Sequence, residues 1–296
     1  MDVRPAAFLL IALTGFGCGG VDPAPRPARP VVVATSIPPH AWLIERIGGE
    51  RVTVHTVLRP GESPTTHQPS DAQVSRVLEA RAYLRCGVPF ENGSWFRALA
   101  GAIEVVDLRE GVPTRRMFHS HGGETAGSLP DDETSVDPHI WLSPTRLEIQ
   151  ARTVAETLQR IDPDRAAEYA AGLDLVLADL ERLDARIAEV LAPYRGRTFV
   201  VFHPSWGYFA DDYGLNQLAI EIEGKEPTDA ELTGIQRRAR DLGVTAIFVQ
   251  PQISGRSAQA VAGTLGARLE TLDPLAPDVI GNLRHAADAI AGGFAD

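Results

Sequence analysis

Cysteine is scarce in this chain: Cys18 and Cys86 are the only two among 296 residues. Cys18 falls in the leader, so no disulfide framework can hold the mature domain. A packed apolar core must do that instead, and the 44% apolar content suffices. Cys86 ends the apolar run Ala82-Tyr83-Leu84-Arg85 and reads as a buried small residue. Excess positive charge is also missing. The net charge of -11 argues against nucleic acid or an anionic membrane surface as partner and suits a protein that handles cations. There is no His-Glu-x-x-His helix and no G-x-S-x-G elbow, the usual marks of zinc peptidases and serine hydrolases. A Gly-rich phosphate loop and a basic aromatic patch are lacking as well, which argues against nucleotide and nucleic-acid roles.

What is present begins with a secretion signal. Arg4 supplies the positive region, and Ala6 to Leu13 form an apolar stretch far too short to span a bilayer. Small residues then lead to Cys18 in Gly15-Phe16-Gly17-Cys18, the pattern of a bacterial lipobox with Gly15 where Leu is usual. Lipidation at Cys18 is the expectation, with ordinary cleavage nearby as the alternative. Residues 1–18 are thus the signal, and the Pro-, Ala- and Gly-rich residues 19–30 form an extended tether.

Beyond Val31, short β-like runs alternate with helical patterns. Strands are expected at Val31-Ala34, Val52-Leu58, Ala82-Cys86 and Ile103-Leu108, then at Thr198-Phe202, Gln217-Ile222, Val244-Val249 and Arg268-Leu272. Such alternation predicts an α/β protein of two (β/α)4-like lobes with parallel sheets, residues 31–162 and 196–296. Between them, Ser143-Pro144 announces a helix to about Gln159 by N-cap and proline at its first position. Leu173, Val176, Leu180, Leu183, Ile187 and Val190 then trace the apolar stripe of a long, rigid linking helix within 163–195. Thirty such residues would extend about 45 Å. Thr228-Asp229-Ala230-Glu231 forms a capping box for a further helix. The stretch from His119 and His121 to Asp137 has no periodicity and reads as a loop whose His and acidic groups could gather metal weakly.

Three segments end in donors for a divalent metal. His139 lies one turn ahead of the Ser143 helix, His203 ends the run Thr198-Phe202, and Asp273 ends Arg268-Leu272. In α/β sheets ligands bind beyond the carboxyl ends of the strands, so two lobes could present these groups to a shared cleft. Imidazoles with a carboxylate suit zinc, with manganese as the alternative. His55, within a strand, and His285, on the last helix, read as structural.

Four stretches carry a resemblance. These are Asp137-Pro138-His139-Ile140-Trp141-Leu142-Ser143-Pro144, Phe202-His203-Pro204-Ser205-Trp206-Gly207-Tyr208-Phe209, Glu221-Ile222-Glu223-Gly224-Lys225-Glu226-Pro227 and Leu272-Asp273-Pro274-Leu275. Together they are similar to the cluster A-I (cluster 9) metal-binding proteins, the zinc and manganese receptors of bacterial ABC importers. That resemblance implies a metal held between two lobes by three histidines and a carboxylate, with His139, His203 and Asp273 matching three of the four. It also implies an extracytoplasmic, lipid-anchored monomer whose partners are an ABC permease and its ATPase. The chain departs from the family at the first histidine: Thr65 stands there, and His67 follows two residues later. The shift keeps the side-chain direction but moves the ring roughly 6 to 7 Å. His67 is the candidate fourth ligand, with Glu62, His40 or water as substitutes. Two alternatives from other classes are a zinc-dependent hydrolase and a surface adhesin with a vestigial metal site.

Overall fold

The computed structural model describes residues 29–99, 101–117, 136–221, 227–252 and 256–295. Cys18, His119, His121 and the 222–226 part of the third quoted stretch lie outside them. The first half contains β1 (Val31–Thr35), β2 (Val52–Thr56), β3 (Ala82–Arg85) and β4 (Glu104–Asp107), with α1 (Pro38–Gly48), α2 (Asp71–Leu78) and α3 (Ser94–Leu99) between them. The second half repeats the plan with β5 (Thr198–Val201), β6 (Asn216–Ala219), β7 (Ala246–Val249) and β8 (Arg268–Thr271). Its helices are α6 (Gly207–Tyr213), α7 (Asp229–Asp241), α8 (Arg256–Leu265) and α9 (Val279–Ala295).

Each half forms a four-stranded parallel sheet, in the orders β2-β1-β3-β4 and β6-β5-β7-β8. Parallel neighbours require a crossover, which the intervening helices supply. In both sheets the order reverses between the first and third strands, which opens a crevice at their carboxyl ends. The α/β two-lobe architecture read from the sequence is therefore the one observed.

Two helices join the halves. Ser143 Oγ accepts from Arg146 N at 3.2 Å and caps α4 (Pro144–Ile161). After a 3-10 turn at Pro163–Arg165 comes α5 (Ala166–Leu191), and Ala192–Tyr194 forms another 3-10 turn. The linker is thus helical from 163 to 194, but its α portion has 26 residues, about 39 Å rather than 45 Å. Asp162 and Pro163 break the regular ladder at its start, because proline cannot donate. Val176, Leu180, Leu183 and Ile187 are buried as the stripe requires, with Tyr169 and Leu191 extending it. α5 packs on α1, α4 and α9. One continuous core accordingly runs from Val33 in β1 to Ile290 in α9, while a smaller one around Val200, Ile235, Ile247 and Val261 lies under α7 and α8.

Gly172 sets the approach of α5 to α1: a Cβ there would lie 2.2 Å from the Ile47 carbonyl oxygen. Gly234, on α7, has nothing within 4 Å of the same position. Gly172→Ala should destabilise the protein by about 1–3 kcal/mol through overpacking, despite the better helix propensity of alanine. Gly234→Ala should stabilise it by up to about 1 kcal/mol. Urea denaturation of both variants tests the pair; equal signs would refute a tight α1–α5 contact.

Candidate metal centre

β5 and β6 run side by side with Val201 opposite Ala219. Two residues further on, the chains carry His203 and Glu221, still adjacent because Glu221 N donates to Phe202 O at 2.9 Å. Pro204 holds His203 out of the following helix. Glu221, buried, meets His203 Nδ1 with both carboxylate oxygens at 3.1 Å. The same device recurs across the cleft. Asp137, fully buried, accepts from His139 Nδ1 at 2.7 Å and from His139 N at 3.0 Å. A carboxylate can only accept, so each imidazole carries its proton on Nδ1 and keeps a lone pair on Nε2. The two rings come within 5.3 Å, centroid to centroid. Burial holds the pKa of His139 below the ordinary histidine value, against the pull of Asp137, which keeps the ring in its metal-binding neutral form.

Asp137 is itself supported across the lobes. Arg115 Nη1 donates to its Oδ2 at 3.2 Å, and Tyr208 OH donates to its carbonyl at 2.8 Å. Arg115 also pairs with Asp211 at 2.8 Å, and Arg146 with Asp212 at 2.5 Å, both acids on α6. Gly207 makes the arginine's place possible, since a Cβ there would overlap Arg115 Nη1 at 1.4 Å. Trp141 Nε1 donates to Pro274 O at 2.6 Å, a further tie between the halves.

His139, His203 and Glu221 face a cavity of about 730 Å³ between the lobes. The remaining expected residues are placed differently. Asp273 is not among the residues lining this cavity, although Pro274 and Leu275 are. Its Oδ1 accepts from Leu275 N at 2.9 Å and Gln252 Nε2 at 2.6 Å, closing its own turn. In the sheet β7 stands between β5 and β8, so the backbones that carry His203 and Asp273 are separated by roughly 10 Å. Thr65 lines the cavity and His67 does not. His67 packs edge-on against Phe90 at 5.3 Å and puts Nδ1 3.3 Å from Glu62, so these two of the candidates for the fourth position sit with each other.

His40 requires a correction. It is wholly buried inside the first lobe with Nε2 on Gln150 Oε1 at 2.7 Å, which removes it as a substitute ligand at the cleft. Its place on α1 points it at α4 and Trp141. His55 lies on β2 and exposed His285 on α9, both away from the cavity. Cys86 is fully buried with its thiol pKa pushed up by burial, as a structural cysteine should be. Among the described residues no group of three His, Cys, Asp or Glu side chains is gathered tightly enough to hold a metal by itself.

Asp137 and Glu221 stand within the stretches quoted for the resemblance, yet the sequence reading gave neither a role. An acid two residues before His139, and one closing β6 as His203 closes β5, were the available signals.

Known proteins are similar to this chain over most of its length. Residues 33–293 match the family model described as ZnuA, zinc-uptake complex component A, periplasmic. The chain is similar to the "High-affinity zinc uptake system protein ZnuA" of Paracoccus denitrificans, 27% identical over 278 residues that cover 83% of this chain and 82% of that one. It is also similar to the "Manganese-binding lipoprotein MntA" of Halalkalibacterium halodurans, 26% identical over 83% of this chain and 80% of that one. Among solved structures, a ZnuA crystal structure superposes with a TM-score of 0.81 at 38% identity, covering 89% of this chain and 99% of that one.

Proposed function

Because this chain belongs to the family of periplasmic zinc-uptake component A proteins, we propose that it captures a divalent ion between its lobes and delivers it to an ABC importer. The observation that carries this reading is the pair of buried carboxylate–imidazole couples, Asp137–His139 and Glu221–His203, meeting from opposite sides of one cleft. A carboxylate behind a ligating histidine fixes its tautomer and raises its basicity, the usual support of a protein metal site. In this reading His139 and His203 are nitrogen ligands, and Asp273 turns its carboxylate inward when metal arrives. Two imidazoles with one carboxylate favour zinc over manganese. His67, and the 119–121 histidines, take no direct part in tight binding.

The cargo is handed to an ABC permease driven by its ATPase. The protein works as a monomer, tethered through lipidated Cys18 and residues 19–30, with lobes at 31–162 and 196–296. The family is one of solute-binding transport proteins. A hydrolase would need a carboxylate free to take a proton from metal-bound water, and Asp137 and Glu221 are both engaged in holding rings.

Calorimetric titration of the metal-stripped protein should show zinc bound in equal stoichiometry and more tightly than manganese. No heat with either ion would refute the proposal. Asp137→Asn and Glu221→Gln, which keep the shape and remove the charge, should each weaken zinc by roughly 10- to 100-fold. Unchanged affinity in both would show that the carboxylates do not support ligands.

A further inference from the structure

As a metal ligand, Asp273 must bring its carboxylate into the cleft, yet it is not among the residues that line the cavity. The bonds around it account for that. Its backbone is fixed: the preceding Leu272 N donates to Val249 O at 2.9 Å, and Asn282 Nδ2 from α9 donates to Asp273 O at 2.8 Å. The side chain is therefore the part that can move. Two donors hold its Oδ1, Leu275 N at 2.9 Å and Gln252 Nε2 at 2.6 Å. The first closes a local turn, of the kind Asp commonly makes with the backbone two residues on. The second reaches over from the neighbouring strand.

Gln252 comes off the end of β7, which lies between β5 and β8. Val249 stands opposite Thr271 in the paired register, so the two loops leave the sheet side by side. Gln250, two residues earlier, lines the cavity, as do Pro274 and Leu275. The Gln252 amide thus meets Asp273 from the β7 side, the side toward β5 and the His203 that follows it. A carboxylate only accepts, so the amide must turn its NH2 to Asp273 and not its carbonyl. A donor on an ionised acceptor makes one of the stronger hydrogen bonds. This one is partly buried, where it keeps more of its strength than in water.

An N–H donor and a metal cation make the same demand on a carboxylate lone pair. Turning Asp273 toward the cavity swings Oδ1 away from Gln252, so one bond is exchanged for the other. We propose that Gln252 is a positioning residue that competes with the ion for Asp273, lowering affinity and opening a route for release. Where the competing arrangement outweighs the binding-competent one by about ten to one, the apparent affinity is about a tenth of the intrinsic value. As the ion leaves, the amide takes up the freed carboxylate and keeps it from recapturing the ion. A carrier that must surrender its cargo gains from that exchange. This inference rests on the metal-receptor reading, with Asp273 as a ligand, and deepens it by naming the group that governs that ligand.

The test titrates zinc into the full metal-stripped chain against a competing chelator, then follows zinc dissociation after excess chelator is added. Gln252→Met keeps the length of the side chain and removes the donor. It should tighten zinc roughly tenfold, mostly through slower dissociation, the worth of one hydrogen bond to a charged group. Gln252→Asn withdraws the amide by one carbon and should act in the same direction; thermal melting checks that both variants fold. A merely structural lesion would loosen binding and not tighten it. Asp273→Ala should weaken zinc, and adding Gln252→Met to it should change nothing further. Unchanged or weaker binding in both Gln252 variants, with Asp273→Ala weakened, would overturn the competition and leave the receptor reading standing. Zinc held equally well by Asp273→Ala would remove Asp273 from the site, and this inference with it. No zinc bound by the unaltered protein would overturn both.

Discussion

His139→Ala and His203→Ala should each weaken zinc binding by roughly a hundred- to a thousandfold, since about 10–16 kcal/mol spread over four coordination positions is roughly 2.5–4 kcal/mol each. Neither truncation should unfold the protein, because both rings border the cleft and neither supports the continuous core between α1 and α9. Each loss has two parts: the missing nitrogen, and a buried carboxylate left without its donor. For Glu221 the second part is confined to the second lobe. For Asp137 it is cushioned by Arg115, which still bonds Oδ2. His203→Ala should therefore also shift folding stability more than His139→Ala. His55→Ala and His285→Ala, on β2 and α9, should leave affinity unaltered. Titrations of the four variants decide the matter, and equal affinity across them would remove His139 and His203 from the site.

Acid should loosen the first lobe through one histidine. Burial drives the pKa of His40 down to about 4, with the Gln150 bond pulling weakly the other way. An unfolded chain takes up that proton near pH 6.5, whereas the folded one resists until about pH 4. The unfolded state binds more protons throughout that window, so stability falls as pH drops through it and is flat above it. The accumulated loss is about 3 kcal/mol from this group. Denaturation of His40→Gln beside the unaltered protein between pH 7 and pH 4 isolates the effect. The variant should show a shallower decline, and parallel curves would refute it. Metal loading should be kept constant, since metal binding to imidazole ligands carries its own pH dependence.

Much of the architecture was legible because it rests on local rules. Eight apolar runs became eight strands, and α4 begins at Pro144, directly after the Ser143 cap, as its sequence signal announces. The capping boxes behave likewise: Thr228 caps α7 by accepting from Glu231 N at 3.4 Å. The site was legible only in part, because it depends on strand order. His203 and Glu221 become neighbours once β5 and β6 pair, and no periodicity along the chain states that pairing. Asp273 follows β8, with β7 standing between it and β5, an order that spacing in sequence cannot show. His67 illustrates the same limit. Its period-two shift from Thr65 keeps direction in an extended segment, but residues 63–67 are turned, with His67 N bonded to Ser63 O at 3.0 Å, so alternation fails there. His40 was offered as a substitute fourth ligand, yet α1 starts at Pro38 and carries it into the interior.

The linking helix has a consequence for how the membrane partner recognises its cargo carrier. A strut of 26 residues, packed on α1 and α9, leaves little freedom for the halves to swing. Loaded and metal-free molecules then share nearly one silhouette, and their scattering profiles should superimpose. A permease facing such a carrier must read the rim of the groove, its charge and its few rearranged side chains, because the outline itself carries no message.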